Sequence, residues 1–427
     1  MFSPFIGGRW NPESVPLLAE ELTRQRKARR DYIYPASSIG FTDDGRVVLK
    51  ACKAFTVGDH TFADWDLAEA QAERTGERVE MAGDVAPMLL NNTAFGQLRL
   101  AMGIPAVFID RLKADKFDDI VGMNFRELLS RSDRRFLVRT MTTPDGKPYV
   151  RAILSDRYRV FDNCDLFYTA AETFMEPVHE AEPGTRRADL WKARLSDDSF
   201  ELFAVSPHIT GKVRLDRPFA PGEKWHDRWE GQRHRFLDVR GVAVAAHSAA
   251  VYISNSETGR GGLNVDLSCF RSICTNFATI GTSVAKIHLG KTQAEEGLLI
   301  ADDTREAEGR ALWLKVRDAI RTAFDPGKFQ AYIDRLNNLT QVVIPTPEKA
   351  VDNVVKHFTL SEERKTSILA ELMSSGDVTA FGLIQAVTHD AHAVEKESPD
   401  AAARLEAIGG EISGMDSGKV LELVGAA

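Results

Sequence analysis

Several features that mark other protein classes are missing from this 427-residue chain. Its four cysteines, Cys52, Cys164, Cys269 and Cys274, form no disulfide framework, and the last two lack the second ligand pair of a usual zinc site. No apolar run reaches the length of about eighteen residues that a membrane helix needs, and the N-terminus contains no signal-peptide run. We therefore expect reduced cysteines, a cytoplasmic location in a bacterial host cell, and no membrane partner.

Familiar catalytic signatures are also missing. The chain contains no nucleophile elbow, no H-E-x-x-H helix, no phosphate-binding P-loop and no dinucleotide fingerprint. His389 and His392 stand three residues apart on a predicted helix and can chelate a metal in principle, but surface histidines are the simpler interpretation. The sequence therefore assigns no catalytic residue, no metal ligand and no cofactor.

The composition is that of an ordinary soluble protein, with 43% hydrophobic and 27% charged residues. The length favours two or three domains. The formal net charge is −8, yet the stretch from Arg131 to Lys291 carries 24 Lys and Arg against 20 Asp and Glu. An acidic frame around a mildly basic middle disfavours a protein that coats nucleic acid with its whole surface, but it allows a local basic site.

Residues 1–125 are interpreted as a mixed, mostly helical region. An amphipathic pattern with a basic end covers Leu17 to Arg30, and a second helical pattern runs from Asp84 to Leu112. Pro105 interrupts the second pattern, because proline removes a helical hydrogen bond and restricts its predecessor. We expect two short helices there, joined at Gly103 and Ile104.

Residues 126–300 change to short β-like runs. FLVRTMTT, the turn PDGK and PYVRAILS predict a hairpin, and a helix is expected from Cys164 to Met175. Further strands are predicted at Leu190–Arg194, Phe200–Val205, Phe236–Ala246, Ala249–Ser254 and Leu263–Leu267. The fold class is therefore α+β, with a central, largely antiparallel sheet and helices, flanked by helical N- and C-terminal regions.

Residues 301–427 are predicted to be helical. The breaker Asp325-Pro326-Gly327 separates two helices, and Thr359 with Glu362 fits a capping box. Ser398-Pro399 is expected to begin another helix, which Gly409-Gly410 would end.

Three polar segments of the middle region carry candidate binding residues. In SDRYRVFDN, Arg157 and Arg159 alternate with Tyr158, and guanidinium groups with aromatic rings are the chemistry of a single-strand binding groove. The structural alternative is an Asp156–Arg157 ion pair with the aromatic rings in the core.

The second segment is the loop NSETGRGG between two predicted strands. Its glycines can simply supply the positive φ angles of a hairpin. Alternatively, Asn255, Ser256, Glu257 and Arg260 form a cluster of binding groups on a flexible tip. Both interpretations are open at this point.

The third segment runs from Leu215 to Phe236. It interleaves basic and aromatic residues in a loop that contains proline and glycine, the composition that stacking on bases with charge neutralisation requires. A protein interface would use the same residue types. The candidate residues are Lys224, Trp225, Arg228 and Trp229.

Three sequence blocks resemble the phage/plasmid-like family of proteins that carry a domain of unknown function. They are Ala94–Leu112, Val150–Phe167 and Ile253–Asn276, the last followed by the IHLG of Ile287–Gly290, with a weaker match at Thr379–His392. The resemblance implies an origin on a prophage, phage or plasmid. It assigns no site residues.

The order of hairpin, helix and further antiparallel strands is also similar to the single-strand annealing proteins of the Rad52 and Redβ kind. This similarity concerns topology alone, and a shared fold does not establish a function. Mobile elements nevertheless commonly encode recombination and replication accessories.

These observations predict a protein that binds single-stranded DNA without covalent chemistry, as a strand-annealing recombination or replication accessory that forms a homo-oligomer. One alternative is a metal-dependent nuclease, with Glu257 or Asp266 as candidate ligands. A second alternative is a module that binds a host protein through the Trp225 and Trp229 loop. DNA cleavage that depends on Mg²⁺ would identify the nuclease, and lack of DNA binding at any salt concentration would favour the protein partner.

Overall fold

A computed structural model describes most of the chain. The described residues are 8–10, 12–42, 45–50, 53–57, 60–62, 65, 68–69, 72–73, 76–84, 87–115, 117–158, 161–178, 185–215, 244–271, 276–287, 302–394 and 399–426. Within these ranges, no helix is both long enough and apolar enough to cross a membrane.

The described residues form fifteen strands. They are β1 Gly8–Trp10, β2 Arg29–Pro35, β3 Ile39–Phe41, β4 Val47–Leu49, β5 Lys53–Val57, β6 His60–Phe62, β7 Val79–Asp84, β8 Leu89–Leu90, β9 Arg135–Thr142, β10 Pro148–Ser155, β11 Asp189–Leu195, β12 Phe200–Arg214, β13 Val244–Asn255, β14 Leu263–Arg271 and β15 Asn276–Ile287.

Twelve α-helices accompany these strands in the described part of the chain. They are α1 Val15–Ala28, α2 Asn92–Ala101, α3 Ala106–Ala114, α4 Asp118–Ser130, α5 Asn163–Met175, α6 Asp302–Ala323, α7 Pro326–Leu339, α8 Pro347–Phe358, α9 Glu362–Ser375, α10 Ala380–Val394, α11 Pro399–Gly414 and α12 Ser417–Val424.

The largest sheet has six strands in the order β1-β11-β12-β13-β14-β15, and every neighbouring pair is antiparallel. Alternate residues of its strands, among them Ala249, Val251 and Ile253, join one apolar cluster with the helices. Helix α7 packs against β12 at Gly211, where an added Cβ would lie 2.6 Å from the Ile333 side chain. Glycine there permits the close approach. The predicted α+β class with a largely antiparallel sheet is confirmed.

A second sheet has the order β2-β9-β10-β8, in which β8 alone runs parallel to its neighbour. One face packs against α2 and α4 through Val138, Ile153, Leu98 and Phe125, which belong to a separate apolar cluster. Arg139 on β9 and Arg151 on β10 of this sheet bond to Glu257, which lies in the loop between strands β13 and β14 of the large sheet. These two arginines belong to the candidate site.

Local sequence signals located several elements well. The predicted hairpin is β9 and β10, with the turn glycine Gly146 at a φ of 82°. The predicted helix Cys164–Met175 is α5, and Pro105 indeed separates α2 from α3. Ala249–Ser254 lies within the single strand β13, and the predicted strand ending at Ala246 reaches into that same strand, while residues 236–243 lie outside the described residues.

Three expected boundaries were wrong. Asp84 ends β7 and does not begin a helix. Ser361 caps α9 by accepting a hydrogen bond from the backbone N–H of Arg364, whereas Thr359 ends α8 in the left-handed conformation. Helix α11 continues through Gly409 to Gly414, because Gly409 allows α11 to approach α10: a Cβ there would lie 2.4 Å from Thr388 Cγ2.

The division into residues 1–125, 126–300 and 301–427 stays a prediction. Strand β2 pairs with β9 along its full length, so backbone hydrogen bonds cross the first of these boundaries.

Candidate functional site

Two of the distinctive sequence blocks meet in space at the N-terminus of α5. The Tyr158 hydroxyl donates to the Ser256 carbonyl at 3.1 Å, and the Asn255 side-chain amide donates to the Phe161 carbonyl at 2.9 Å. Residues about one hundred positions apart are therefore neighbours. Around this meeting point lies a largely buried charged network, which we call the junction and define as Arg29, Asp31, Arg139, Arg151, Asp162, Asp197 and Glu257.

The strands of the second sheet position the arginines of the junction. Arg139 on β9 is paired in register with Asp31 on β2, and its Nε donates to Asp31 Oδ1 at 3.0 Å. Arg151 is the extra residue of a β-bulge, since the pairing of β10 with β9 shifts between Val150 and Ala152. Bulges commonly re-aim one side chain, and here the bulge places Arg151 in the junction.

Glu257, from the loop between β13 and β14, lies at the centre. Its Oε2 accepts from Arg151 Nη1 at 2.6 Å, and its Oε1 accepts from the backbone N–H of Asn163 at 2.7 Å. Arg29 Nη1 lies 3.9 Å from Oε1, and Arg139 donates to the Glu257 carbonyl. Both carboxylate oxygens are thus engaged, which argues against Glu257 as a metal ligand.

The charges of the junction hold Glu257 ionised. Burial alone would raise the pKa of Glu257, but the charges of Arg151, Arg139 and Arg29 outweigh burial and lower it to about 2. Burial also disfavours the charged form of Arg29, but the negative charges of Glu257, Asp162 and Asp31 outweigh burial and raise the pKa of Arg29. Each ion in this network is therefore stabilised by several partners.

The N-terminus of α5 is capped from within the protein. Asp162 Oδ1 accepts from the Cys164 N–H at 2.7 Å, while Asp162 Oδ2 lies 2.6 Å from Arg29 Nη1. The carboxylates of Asp162 and Glu257 therefore accept hydrogen bonds from the N–H groups of Cys164 and Asn163 and compensate the positive end of the helix dipole. No external anion is needed there.

The turn between β11 and β12 completes the junction. Arg151 Nη2 donates to the Asp197 carbonyl at 2.9 Å, and Arg151 Nε lies 3.2 Å from Asp197 Oδ1. Burial raises the pKa of Asp197 despite the charge of Arg151. The neighbouring Asp198 accepts from Thr93 and Thr258, and it pairs with Arg260 at 2.8 Å.

A small pocket adjoins the junction between α1 and α5. Its volume of about 10 Å³ corresponds to a single water molecule and excludes a substrate. It is lined by Leu22, Gln25, Arg26, Arg29, Asp162, Asn163, Cys164 and Glu257. Within the described residues, no group of three or more His, Cys, Asp or Glu side chains can hold a metal ion.

The structure places the loop candidates inside the protein. Asn255, Ser256 and Glu257 are 2%, 4% and 5% exposed, so their side chains hold the loop in place and do not face solvent. Gly259 has a φ of 76°, as the hairpin interpretation of the glycines requires. This placement favours the structural interpretation for these three residues.

The candidate cations beside the loop are at the surface. Arg157 is exposed, Tyr158 is half-buried, and the side chain of Arg260 is 62% exposed. A Cβ atom added to Gly259 would lie 3.6 Å from the Tyr158 ring, so the two loops touch at these residues. Arg157 and Arg260 each stand one residue from that contact, so the backbone segments that carry them are neighbours.

Several other residues named in the sequence analysis are not part of the junction. Arg159 and the loop candidates Lys224, Trp225, Arg228 and Trp229 lie outside the described residues. Asp266 lies in β14 and is half-buried. His389 is exposed, with Nδ1 3.4 Å from Glu371 Oε2, and the side chain of His392 lies outside the described residues.

Arg29, Arg139 and Arg151 were not among the site residues predicted from the sequence. A signal for two of them was present, because FLVRTMTT and PYVRAILS each place one arginine inside an otherwise apolar strand. Charged residues are rarely buried unless they are paired. A single arginine in each arm of one hairpin predicts acidic partners from another part of the chain.

Comparisons with family models, with curated proteins and with solved structures gave no match to this chain. The resemblance to the phage/plasmid-like family and the similarity of topology to annealing proteins stay predictions.

Proposed function

We propose that this protein binds single-stranded DNA through the surface formed by Arg157, Tyr158 and Arg260, without covalent chemistry. The observation that carries the proposal is the fixed contact between the two loops that present these residues. Guanidinium groups bind phosphate oxygens in a bidentate manner, and aromatic rings can stack on bases.

The contact between the loops makes the surface rigid. Tyr158 donates to Ser256, and Gln97 from α2 donates to the Thr258 carbonyl and accepts from the Ile153 N–H. Behind these contacts, the other residues of the junction hold Glu257 in place. Binding groups held in place before the ligand arrives lose little conformational entropy on binding.

Arg260 already pairs with Asp198, and this ion pair reduces the contribution that Arg260 can make to phosphate binding. Its Nη1 lies 2.8 Å from Asp198 Oδ2, and Asp198 is itself held by Thr93 and Thr258. A phosphate would compete with Asp198 for a guanidinium that is still 62% exposed. Asp198 therefore limits the affinity that Arg260 can contribute.

The biological role follows from the sequence resemblance and is part of the proposal. A single-strand binder encoded by a phage or plasmid serves recombination or replication, and annealing would require several copies that present bases on a common groove. A homo-oligomer is proposed on this ground, and light scattering of the purified protein measures it directly. The loop residues Lys224, Trp225, Arg228 and Trp229, predicted from the sequence, are proposed to contribute to DNA binding as well.

The test is the fluorescence anisotropy of a labelled single-stranded oligonucleotide over a salt series, with and without Mg²⁺. We expect affinity that falls steeply with salt, and each lost phosphate contact should reduce the slope of log K against log salt by about 0.7. Arg157→Ala with Arg260→Ala should lower both the affinity and the slope. Asp198→Asn, which removes the competing charge and keeps an acceptor for Thr93 and Thr258, should raise the affinity.

The matched control is Lys147→Ala. Lys147 is equally cationic and 76% exposed, but it lies at the opposite end of β10 from Arg157. If the double alanine variant binds like the wild type, or if Lys147→Ala weakens binding as much, the proposed surface is wrong. Cleavage of the oligonucleotide in Mg²⁺ would support the nuclease, and no binding at low salt would support a protein partner.

A further inference from the structure

A cluster of arginines lies at the other end of α5. Glu176, the residue after the helix, accepts two hydrogen bonds of 2.7 Å from Arg321 Nε and Nη2. Arg187 Nη2 lies 3.8 Å from the same carboxylate and donates to the Pro177 carbonyl at 3.0 Å. Arg317, one helical turn before Arg321, also lowers the pKa of Glu176 through its charge, after the larger effect of the Arg321 hydrogen bond.

Positive charge exceeds negative charge in this cluster. The ion pairs that the described residues make here involve three guanidinium groups but only two carboxylates, Glu176 and the exposed Asp318. Arg317 and Arg321 are four residues apart on α6, a spacing at which like charges destabilise a helix. Burial lowers the pKa of Arg187. The positive charge of Arg321 lowers it further, whereas the negative charge of Glu176 raises it.

Two donors in the cluster are buried and lack a hydrogen bond. Among the described residues, neither Arg187 Nε nor Arg317 Nε has a hydrogen-bond partner, and Arg317 Nε is 3.6 Å from Asp318 Oδ1. The Arg187 side chain is only 12% exposed. A buried donor without a partner costs free energy, so native proteins rarely leave one unexplained.

We infer that Arg187, Arg317 and Arg321 form a binding site for a phosphate oxyanion at the C-terminal end of α5. Both Nε atoms are buried in this structure, so the ligand reaches their N–H groups through a rotation of the Arg187 and Arg317 side chains, while Glu176 keeps Arg321 in place. Planar guanidinium forks match the oxygens of phosphate better than a single ammonium group does. The chemistry is common to inorganic phosphate, a terminal phosphate monoester and a backbone phosphodiester.

This site is separate from the proposed DNA surface. Helix α5 has 13 residues, so its two ends are about 18 Å apart at 1.5 Å per residue. The inference does not depend on DNA binding, because inorganic phosphate is the probe. Failure of one proposal leaves the other intact.

The experiment is a calorimetric titration of the full chain with inorganic phosphate, at ionic strength held constant with NaCl. We expect saturable binding to one site. Arg317→Gln, chosen because Arg317 is half-exposed and its Nε makes no hydrogen bond, should weaken binding about tenfold. Glu176→Gln should tighten binding at least threefold, because it removes a like charge beside the ligand.

The matched control is Arg310→Gln. Arg310 is exposed on the same helix, two turns before Arg317. Equal weakening by both glutamine variants would show a diffuse charge effect and overturn the site, as would lack of saturable binding in both the wild type and Glu176→Gln.

A competition experiment identifies the source of the phosphate. If a 5′-phosphorylated oligonucleotide displaces inorganic phosphate and its 5′-hydroxyl counterpart does not, the ligand is a terminal phosphate. Displacement by both identifies the phosphodiester backbone. Either result supports the site, and displacement must be lost in Arg317→Gln.

Discussion

The inner face of the large sheet and the junction are both buried, but they are built from opposite chemistry. The first buries apolar side chains such as Ile253 and Phe324, and the second buries Arg139, Arg151 and Glu257 at 5% exposure or less. Apolar burial is non-directional and scales with area. A buried ion pair must recover a large desolvation cost through accurate geometry. We therefore expect the junction to fix the relative position of the two sheets more than it adds stability.

The apolar clusters support this distinction. In the described part of the chain, the large sheet with its helices and the second sheet with α2 and α4 belong to separate clusters. Arg151 and Glu257 bridge the two sides. The comparison therefore predicts different consequences for damage in each region.

Glu257→Gln should cause the greatest loss of stability. It leaves Arg151 and Arg29 buried without their shared counter-charge, which costs about 3 to 5 kcal/mol when one partner of a buried pair is removed. Hydrogen exchange followed by mass spectrometry should show faster exchange mainly in β2, β9 and β10. Phe324→Ala should cost a similar amount through a cavity, but with faster exchange in α6 and the large sheet.

The control for charge alone is Glu127→Gln. Glu127 pairs with Arg131 on the surface, with side chains 59% and 74% exposed, so its loss should cost less than about 0.5 kcal/mol. If Glu257→Gln and Phe324→Ala speed exchange in the same elements, the two regions unfold as one and the comparison fails.

The two regions should also differ in how their stability depends on pH. The folded protein lowers the pKa of Glu257 from 4.5 to about 2, against the effect of burial, through Arg151, Arg139 and Arg29. A lowered pKa contributes stability that is fully present above the unfolded value and is lost as the pH falls toward the folded value. The stability difference between wild type and Glu257→Gln should therefore narrow as the pH falls from about 4.5, whereas the deficit of Phe324→Ala should not. A constant Glu257→Gln deficit down to pH 3 would mean that the arginines do not hold Glu257 ionised.

The elements were predictable where the signal is local. The turn PDGK with flanking alternation located β9 and β10, because Gly146 takes the positive φ that such a turn needs. Helix α5 was recognised from its own pattern. The position of Arg157 was not predicted: it lies at the surface, and its neighbour Tyr158 is tied to Ser256 by a contact that no local pattern reveals.

The junction was not predictable, because its members are distant in sequence. Whether the loop Asn255–Gly262 is a structural turn or a binding tip depends on Arg151, which lies 106 positions before Glu257. Gly409 was misinterpreted for the same reason: the residue it accommodates, Thr388, is on another helix. Sequence patterns describe one element at a time, and both of these features depend on contacts between elements.

A smaller loss of stability than at Glu257 is expected at Gly259, which lies in the same loop as Glu257 and Arg260. Gly259→Ala forces a side chain into a φ of 76° and places its Cβ 2.6 Å from Leu154 Cδ2, whereas Gly146→Ala has a similar φ of 82° with nothing within 4 Å. Both should lose about 1 kcal/mol to backbone strain, and only Gly259→Ala should also displace Tyr158 and Arg260 and weaken oligonucleotide binding. Because the two variants share the strain and differ in packing, equal effects on binding would show that the loop contact does not position the arginines.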